Sequence, residues 1–324
     1  VPANSAISNT AYWENLAIAA STLSTPVEKV PNLDINLILN SIPSALPTSV
    51  SSSAAESLSA KDILIENTST GERAAWNLYG AKTQFQTEEV LLSGGATVGT
   101  YSSTTEVFGS GDFDKDGNFD FATYDSATGE TKIVFMNGNV QGSEIVLGTL
   151  TTADKAVAVG DFNADNLPDI VTDNVSTGSK MVHFLSGTGK NLSISSSSSV
   201  STNSGYAIVG ADDFNQDGKT DLLVEQLTSS SDPLAKVARV IWLMNGTSIS
   251  SSTSVLQPFA QEWRMKGTGD FDNDLNIDIM VEQDGTGRKG IWYLNKTSLR
   301  DGFTYLTLQP EWESGCSADF NKDG

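Results

Sequence analysis

From about residue 58 onward, the chain alternates short apolar runs with clusters of turn-forming residues. A typical run is followed by a turn that contains glycine at position 129, 178 or 287, and then by a second apolar run that ends in a hairpin signal such as Asn137-Gly138 or Asn245-Gly246. Short runs of this kind, bounded by turn residues, predict β-strands. The first run of the units spans Phe119–Tyr124, Ile170–Thr172, Leu222–Glu225 and Ile279–Glu282.

One phrase, Asp-Phe-Asp/Asn-x-Asp, recurs along this region. Its first aspartates stand at positions 112, 161, 213, 270 and 319, at intervals of 49, 52, 57 and 49 residues. Four short strands per period of roughly 50 residues, without convincing helices, are typical of a propeller blade. We therefore predict an all-β fold, a β-propeller of about five repeat units with four-stranded blades. A solenoid is the alternative, although solenoid repeats are shorter.

The repeat is split between the two ends of the chain. Residues 62–71 and 76–80 match the second part of a unit, whereas residues 312–324 match a first strand and most of a loop. In a closed ring the two halves would complete one blade and leave no open sheet edge. We prefer this closure to a homopolymer in which neighbouring molecules share a blade. Truncation within a repeat is the third explanation.

Residues 1–57 differ from the repeats. A short helix is predicted from Ser8 to Ala20, and the apolar stretch from Leu33 to Ile42 is compatible with helix or strand. The prolines and the serine-rich run that follow predict a linker. We therefore divide the chain into an N-terminal segment with its linker, residues 1–57, and the repeats, residues 58–324.

Each repeat carries an acidic loop in which oxygen-bearing side chains alternate along the chain. Numbered from the first aspartate, positions 1, 3, 5 and 9 are Asp112, Asp114, Asp116 and Asp120 in loop 1; Asp161, Asn163, Asp165 and Asp169 in loop 2; Asp213, Asn215, Asp217 and Asp221 in loop 3; and Asp270, Asp272, Asp274 and Asp278 in loop 4. In the split repeat, positions 1, 3, 5 and 9 of loop 5 are Asp319, Asn321, Asp323 and Asp62. Hard oxygen ligands, several of them anionic, select Ca²⁺, which is the predicted cofactor.

Two further positions of the loops bear on this prediction. The backbone carbonyl of position 7 is a candidate ligand, and these residues are Asn118, Leu167, Lys219 and Asn276. Position 6 needs a sharp turn, which Gly117, Gly218 and Asn166 permit but Leu275 does not readily adopt. Loop 4 is therefore the least favourable of the four complete loops.

Two other interpretations of the acidic loops are excluded or disfavoured. An EF-hand needs flanking helices and a glutamate at position 12, where these loops carry Thr123, Thr172, Val224 and Val281. Simple solvated turns would leave several carboxylates repelling one another within one loop, in four complete copies.

The net charge of −21, from 40 acidic and 19 basic residues, argues against nucleic acid and anionic membrane surfaces as partners. Cys316 is the single cysteine, so no intrachain disulfide can form, and no apolar run is long enough for a transmembrane helix. Bound metal is another way to stabilise a secreted protein. A chain that starts at Val1 fits a processed mature protein or a fragment.

The loop phrase and its repetition over residues 58–324 resemble the FG-GAP/VCBS repeat family of integrin-like propellers. The resemblance implies a β-propeller, Ca²⁺ in the loops, a secreted or cell-surface location, and a role in adhesion or ligand binding. It names no ligand, because related propellers serve as lectins, integrin heads and accessory domains of enzymes. Residues 1–57 lie outside the resemblance.

Candidate catalytic residues are sparse, and we expect no enzymatic activity. The single histidine, His183, stands in a mostly aromatic column that holds Trp76, Val134, Trp242 and Trp292 in other repeats, which predicts packing. A Ser-His-Asp site or a zinc site is implausible without a second histidine. Polar pairs that begin at Glu66, Asp173, Glu225 and Glu282 recur at one repeat position, so we interpret them as scaffold or recognition features instead of a glycosidase pair.

Three aromatic residues, Tyr206, Trp263 and Trp312, each stand seven residues before a loop. We favour packing between blades for them, and sugar stacking is the functional alternative. The sequence thus predicts a non-catalytic extracellular binding or adhesion module with a glycan or protein ligand. The alternatives are a structural subunit of an extracellular filament or surface array, and an accessory domain of a secreted enzyme.

Overall fold

A computed structural model describes residues 58–59, 61–82, 88–201, 203–232, 234–254, 259–307 and 311–320. All of them belong to one compact unit that spans residues 49–324. The N-terminal segment and linker predicted for residues 1–57 lie outside the described residues.

The described part of the chain consists of β-strands joined by turns, with one short 3-10 helix at Gly189–Asn191. In chain order the strands are β1 Leu58–Ser59, β2 Asp62–Asn67, β3 Glu72–Lys82, β4 Glu88–Thr100, β5 Thr105–Gly111, β6 Asp120–Asp125, β7 Glu130–Asn137, β8 Val140–Thr149, β9 Lys155–Gly160, β10 Asp169–Asn174, β11 Ser179–Ser186, β12 Ser193–Ser201, β13 Tyr206–Asp212, β14 Asp221–Gln226, β15 Lys236–Val237, β16 Arg239–Asn245, β17 Ser248–Ser254, β18 Phe259–Ala260, β19 Trp263–Gly269, β20 Asp278–Gln283, β21 Arg288–Asn295, β22 Ser298–Thr307 and β23 Trp312–Ala318.

Twenty of these strands form five four-stranded antiparallel blades within the described ranges. Blades 1 to 4 are β5–β8, β9–β12, β13-β14-β16-β17 and β19–β22, and the closing blade is β23-β2-β3-β4. The first strand of each blade packs against the first strands of both neighbours, so that β5, β9, β13, β19 and β23 surround a common axis. The fold is a five-bladed β-propeller, which confirms the predicted class.

The ring is closed within one chain. Strand β23, near the C-terminal end, pairs with β2 from the start of the repeats, and the register places Asp62 opposite Ala318 and Asn67 opposite Trp312. The two halves of the split repeat therefore form one blade in the same molecule, as we preferred. A blade shared between neighbours in a polymer is not the arrangement found here.

The second strand of each blade explains why the apolar runs do not alternate with polar residues. Strands β6, β10 and β20 are buried over nearly their whole length. Neighbouring blades cover both faces of these strands, so both sets of side chains enter the core. One apolar cluster joins Ile133 of blade 1 with Ile170 of blade 2, and another joins Leu223 of blade 3 with Ile279 of blade 4.

The phenylalanine at position 2 of every loop anchors that loop in the core. Phe113 and Phe214 are fully buried, and Phe113 lies in the cluster that joins blades 1 and 2. Burial of a phenylalanine side chain contributes roughly 1.5–3 kcal/mol. Apolar contacts of the position 2 phenylalanine thus attach each acidic loop to the core. The five phenylalanines, all at most 5% exposed, are Phe113, Phe162, Phe214, Phe271 and Phe320.

Buried cations tie neighbouring blades together at the far end of the second strand. Lys180 shows the pattern, since its Nζ donates to Asp173 Oδ1 at 2.8 Å in blade 2 and to the Asn203 carbonyl, just before blade 3, at 3.0 Å. Asp173 Oδ2 in turn accepts the Ile208 N–H of blade 3 at 2.7 Å. The equivalent ion pairs are Arg73–Glu66, Arg239–Glu225 and Lys289–Glu282.

These three cations also donate to the carbonyls of Thr105, Trp263 and Trp312 in the next blade. In blade 1 a neutral pair replaces the ion pair, and the Tyr124 hydroxyl donates to the Thr151 carbonyl at 3.3 Å. The recurrent polar pairs therefore hold blades together, which favours the scaffold interpretation over a glycosidase pair.

Candidate metal centre

The four complete loops follow one backbone path, which places two residues of each loop in the left-handed region. At position 6, φ is +82° for Gly117, +60° for Asn166, +81° for Gly218 and +70° for Leu275. The turn predicted at position 6 is present in all four loops. Leu275 adopts it against expectation, and a left-handed conformation costs such a residue about 1–2 kcal/mol.

Position 4 is left-handed as well, which sequence reasoning missed. Its φ is +62° for Lys115, +61° for Ala164, +63° for Gln216 and +58° for Asn273. Only the asparagine is a residue type that favours this region, so three of the four sequences carry no signal for it.

The first aspartate organises each loop. In loop 1, Asp112 Oδ1 accepts the N–H of Asp116 at 3.1 Å, and Oδ2 accepts the N–H of Gly117 at 2.9 Å. The Asp116 carboxylate then accepts the N–H of Asn118 at 2.7 Å. The same bonds recur in loops 2, 3 and 4. The backbone therefore wraps around the carboxylates and points their other lone pairs into one small region.

The aspartate at position 9 links the loop to the third strand of its blade. Asp120 is wholly buried, with Oδ2 accepting the N–H of Phe113 at 2.9 Å and Oδ1 accepting the N–H of Met136 at 2.8 Å. Asp169 and Asp278 make the equivalent bonds. Position 9 was predicted only as a ligand, and its structural partner lies too far along the chain to be seen in the sequence.

Loop 1 brings three carboxylates to one point. Oxygen atoms of Asp112, Asp114 and Asp116 lie within 4.8 Å of one another. Burial raises the pKa of Asp114, and the neighbouring Asp116 charge raises it further. A cation between these oxygens would remove the repulsion. The donor set consists of oxygen alone, which fits a hard divalent ion such as Ca²⁺.

The carboxyl groups at position 9 show the same unbalanced charge. Burial raises the pKa of Asp120 to about 7, and the charges of Asp114 and Asp116 add to the rise. Burial likewise raises the pKa of Asp169 to about 6 and that of Asp221 to about 6. The charges of the carboxylates at positions 1 and 5 of the same loop raise the pKa of Asp169 and Asp221 further. Loops 1 to 3 thus concentrate negative charge that a bound cation would balance.

Loop 3 offers a further indication. Here the N–H of Phe214 donates to the Asp212 carbonyl at 3.1 Å. Asp221 Oδ2 is buried and meets no donor at full hydrogen-bond geometry among the described residues, although the backbone N–H of Asn215 lies close enough to lower the pKa of this carboxyl group. Because buried carboxylate oxygens nearly always have a partner, this atom fits a place next to a cation.

Loop 4 differs from the others. Oxygen atoms of Asp270, Asp272 and Asp278 lie within 4.8 Å of one another, so the carboxylates also converge here. However, the guanidinium group of Arg300, on β22, forms ion pairs with Asp272 and Asp274. Burial, with the added charge of Asp272, raises the pKa of Asp278 to about 8.

Loop 5 is described in part. Asp62 is wholly buried at the start of β2, opposite Ala318, which matches the place of Asp120 opposite Gly111 in blade 1. Asp319, the predicted ligand at position 1, follows Ala318 directly in the chain. The predicted ligands Asn321 and Asp323 lie outside the described residues.

Side chains at position 7 have roles that the sequence did not reveal. Asn118 Oδ1 accepts the N–H of Gly138 at 3.2 Å, and Asn276 Oδ1 accepts the N–H of Lys296 at 2.9 Å. These bonds tie the loop to the outer hairpin of the same blade. Leu167 packs in the core instead. The carbonyl ligands at position 7 stay a prediction.

The predicted aromatic series lies mostly inside the protein. Trp263 and Trp312 are 7% and 2% exposed, which favours packing over ligand stacking for both. Tyr206 is half-buried and meets Trp242 edge to face at 6.1 Å between ring centroids.

His183 occupies its expected column, and the single cysteine is buried. His183 lies opposite Ile170, just as Trp242 lies opposite Leu222 in blade 3. Its ring bonds to Thr172 Oγ1 at 3.0 Å and to Ser197 Oγ at 2.8 Å, and burial lowers its pKa. Cys316 is buried on β23, and burial raises the pKa of its thiol to about 12, which makes it a poor nucleophile at neutral pH.

A polar cleft of about 420 Å³ lies between the closing blade and blade 1. Its lining includes Tyr101, Asp125, Lys132 and Glu144. Lys132 pairs with Glu144 at 3.1 Å. Such a lining offers hydrogen-bonding groups to a hydroxyl-rich ligand.

No protein-family model and no curated protein matches the chain. One chain of the solved nidogen/laminin complex is similar over 79% of this chain and 97% of its own length, with a TM-score of 0.41 and 7% sequence identity. Similarity at this level carries no inference about family, ligand or partner. Among the described residues, no helix has the length and apolar character needed to cross a membrane.

Proposed function

We propose that this protein is a non-catalytic extracellular binding or adhesion module, a propeller of the FG-GAP/VCBS type stabilised by Ca²⁺. The observation that carries the proposal is the convergence of Asp112, Asp114 and Asp116 in loop 1, on a backbone path that loops 2 and 3 repeat. Extracellular modules bind Ca²⁺ with dissociation constants of roughly 0.1–1 mM. The secreted or surface location follows from the resemblance to FG-GAP/VCBS repeats.

Thermal unfolding in Ca²⁺ and in excess EGTA tests the metal. At about 1 mM Ca²⁺ and the tight end of that range, each site contributes about 1.4 kcal/mol. Three such loops would shift the melting temperature by several degrees. Mg²⁺ at the same concentration is the control, because it demands stricter octahedral geometry. Equal melting temperatures in Ca²⁺ and EGTA would contradict the proposal.

Matched variants locate the effect. Asp116→Asn removes one anionic oxygen of loop 1 at position 5, where every complete loop carries aspartate, and should reduce the calcium-dependent shift. Asp125→Asn removes an acidic residue from the opposite end of β6 and should leave the shift unchanged.

We propose a glycan or protein ligand, and the polar cleft beside Tyr101 is the candidate ligand site. The net charge of −21 supports neither nucleic acid nor an anionic membrane as partner. A glycan array probed with the calcium-loaded protein tests for a glycan ligand. Calcium-dependent pull-down from surface proteins tests for a protein ligand. Loss of binding in Glu144→Gln would place the ligand in the cleft.

A further inference from the structure

Arg300 supplies loop 4 with a cation of its own. Its guanidinium group pairs with Asp272 through Nη2 and with Asp274 through Nη1. The Asp272 side chain is 5% exposed and that of Arg300 is 28% exposed, so the ion pairs are largely shielded from water. The guanidinium also lies over the ring of Tyr293, with 5.4 Å between Cζ and the ring centroid. The guanidinium thus bridges two carboxylates through separate nitrogens, and charge-assisted bonds of this kind are roughly twice as strong as neutral hydrogen bonds.

The strand register shows that this arginine is peculiar to blade 4. Leu294 pairs with Leu299, and Arg300 follows directly. The equivalent pairs in blades 1, 2 and 3 are Met136–Gln141, Leu185–Ile194 and Met244–Ile249. The residues that follow them are Gly142, Ser195 and Ser250. None of these carries a positive charge.

The two cations would compete for the same oxygens. Asp272 and Asp274 occupy positions 3 and 5 of loop 4, which are ligand positions of the proposed calcium loops. A guanidinium group and Ca²⁺ cannot both occupy the space between them, since each needs direct contact with the carboxylates. The arginine is covalently part of the blade and is present at every calcium concentration.

We infer that Arg300 takes the place of Ca²⁺ in loop 4, so that blade 4 keeps its loop closed without metal while loops 1 to 3 require it. The inference rests on the proposed function, because it contrasts loop 4 with calcium-binding loops. It makes blade 4 a calcium-independent part of a ring whose other complete loops respond to calcium.

Calcium stoichiometry of the full chain, measured by equilibrium dialysis against Ca²⁺ alone, tests the inference. Arg300→Ser installs the residue of blades 2 and 3, and should bind about one more Ca²⁺ per chain than the parent. Arg264→Ser is the matched control, because it removes an arginine from an exposed pair with Asp284 in the same blade and should not change the count. Adding Asp274→Asn, at position 5 where every complete loop carries aspartate, to Arg300→Ser should return the count to that of the parent.

An unchanged count in folded Arg300→Ser overturns the inference. If Arg300→Ser does not fold, Asp274→Asn alone decides, because in the parent background it should leave the count unchanged, and loss of about one Ca²⁺ would show that loop 4 binds metal. The outcome is separable from that of the proposed function. A parent that binds no Ca²⁺, together with a variant that binds one, would refute calcium in loops 1 to 3 and retain the role of Arg300.

Discussion

Removal of calcium should make the stability of this protein depend on pH in a direction set by the aspartates at position 9. These carboxyl groups lie in the core at the start of the second strands, and burial raises their pKa to about 7 for Asp120 and about 6 for Asp169 and Asp221. In the unfolded chain they titrate near 3.9. The folded state therefore binds more protons than the unfolded state between these values.

The sign follows from linkage. A carboxyl group whose pKa is higher in the folded state favours folding below its unfolded pKa, and loses that contribution as pH rises through the folded pKa. For Asp169, the rise of the pKa from 3.8 to about 6 corresponds to a free energy of about 3 kcal/mol that disfavours the ionised form in the folded state. Relaxation of the loop and of the surrounding solvent reduces this free energy. We therefore expect each loop to lose about 1–3 kcal/mol of folding stability between pH 4 and pH 8.

The assay is thermal unfolding at several pH values from 5.5 to 8, in 2 mM Ca²⁺ and in a chelator such as BAPTA. In the chelator the melting temperature should fall as pH rises. In Ca²⁺ it should fall less, because the ion binds the deprotonated loops and its stabilising effect grows with pH. A chelator curve that is flat or rises with pH, or two curves that coincide, would refute the reasoning.

Three further changes test other parts of the structure. Leu275→Asn places a residue that tolerates positive φ at position 6 of loop 4, where the leucine is 74% exposed, and should raise the free energy of unfolding by up to about 1 kcal/mol. Urea titrations measure this change, and a lower free energy of unfolding would show that Leu275 makes stabilising contacts. Lys180→Met leaves Asp173 buried without its cation and should lower the free energy of unfolding by about 3–5 kcal/mol. The double variant Lys180→Met, Asp173→Leu should regain part of this stability, and equal stability of the single variant and the parent would contradict the role of the ion pair. His183→Trp should keep the fold and ligand binding, and should lower the free energy of unfolding by about 1 kcal/mol because the hydrogen bond to Thr172 is lost. Circular dichroism and the glycan array measure the two properties, and loss of binding without loss of stability would assign His183 a functional role.

The blade architecture could be predicted from the sequence because it depends on local patterns repeated at a fixed period. The second strands read as continuous apolar runs, and the turns after Asn137 and Asn245 are set by residues that accept positive φ. The split repeat also made ring closure one of three explanations, the one we preferred to a shared blade, since Asp62 and Asp319 are recognisable as parts of one loop. Alternating oxygen side chains predicted the acidic loops for the same reason, because each loop is a single short segment.

Tertiary structure alone decided the features that join distant segments. Lys115 and Ala164 adopt the left-handed conformation against the preference of those residues, in loops whose N–H groups donate to the first aspartate. Asp120 meets Met136 only when the blade forms, and Lys180 reaches blade 3 only when the ring closes. Arg300 lies 26 residues after Asp274 on an outer strand that carries no motif, so only strand register brings it onto the carboxylates of loop 4. Local pattern determines a repeated element, whereas the charge balance of each copy depends on whichever side chains the fold places beside it.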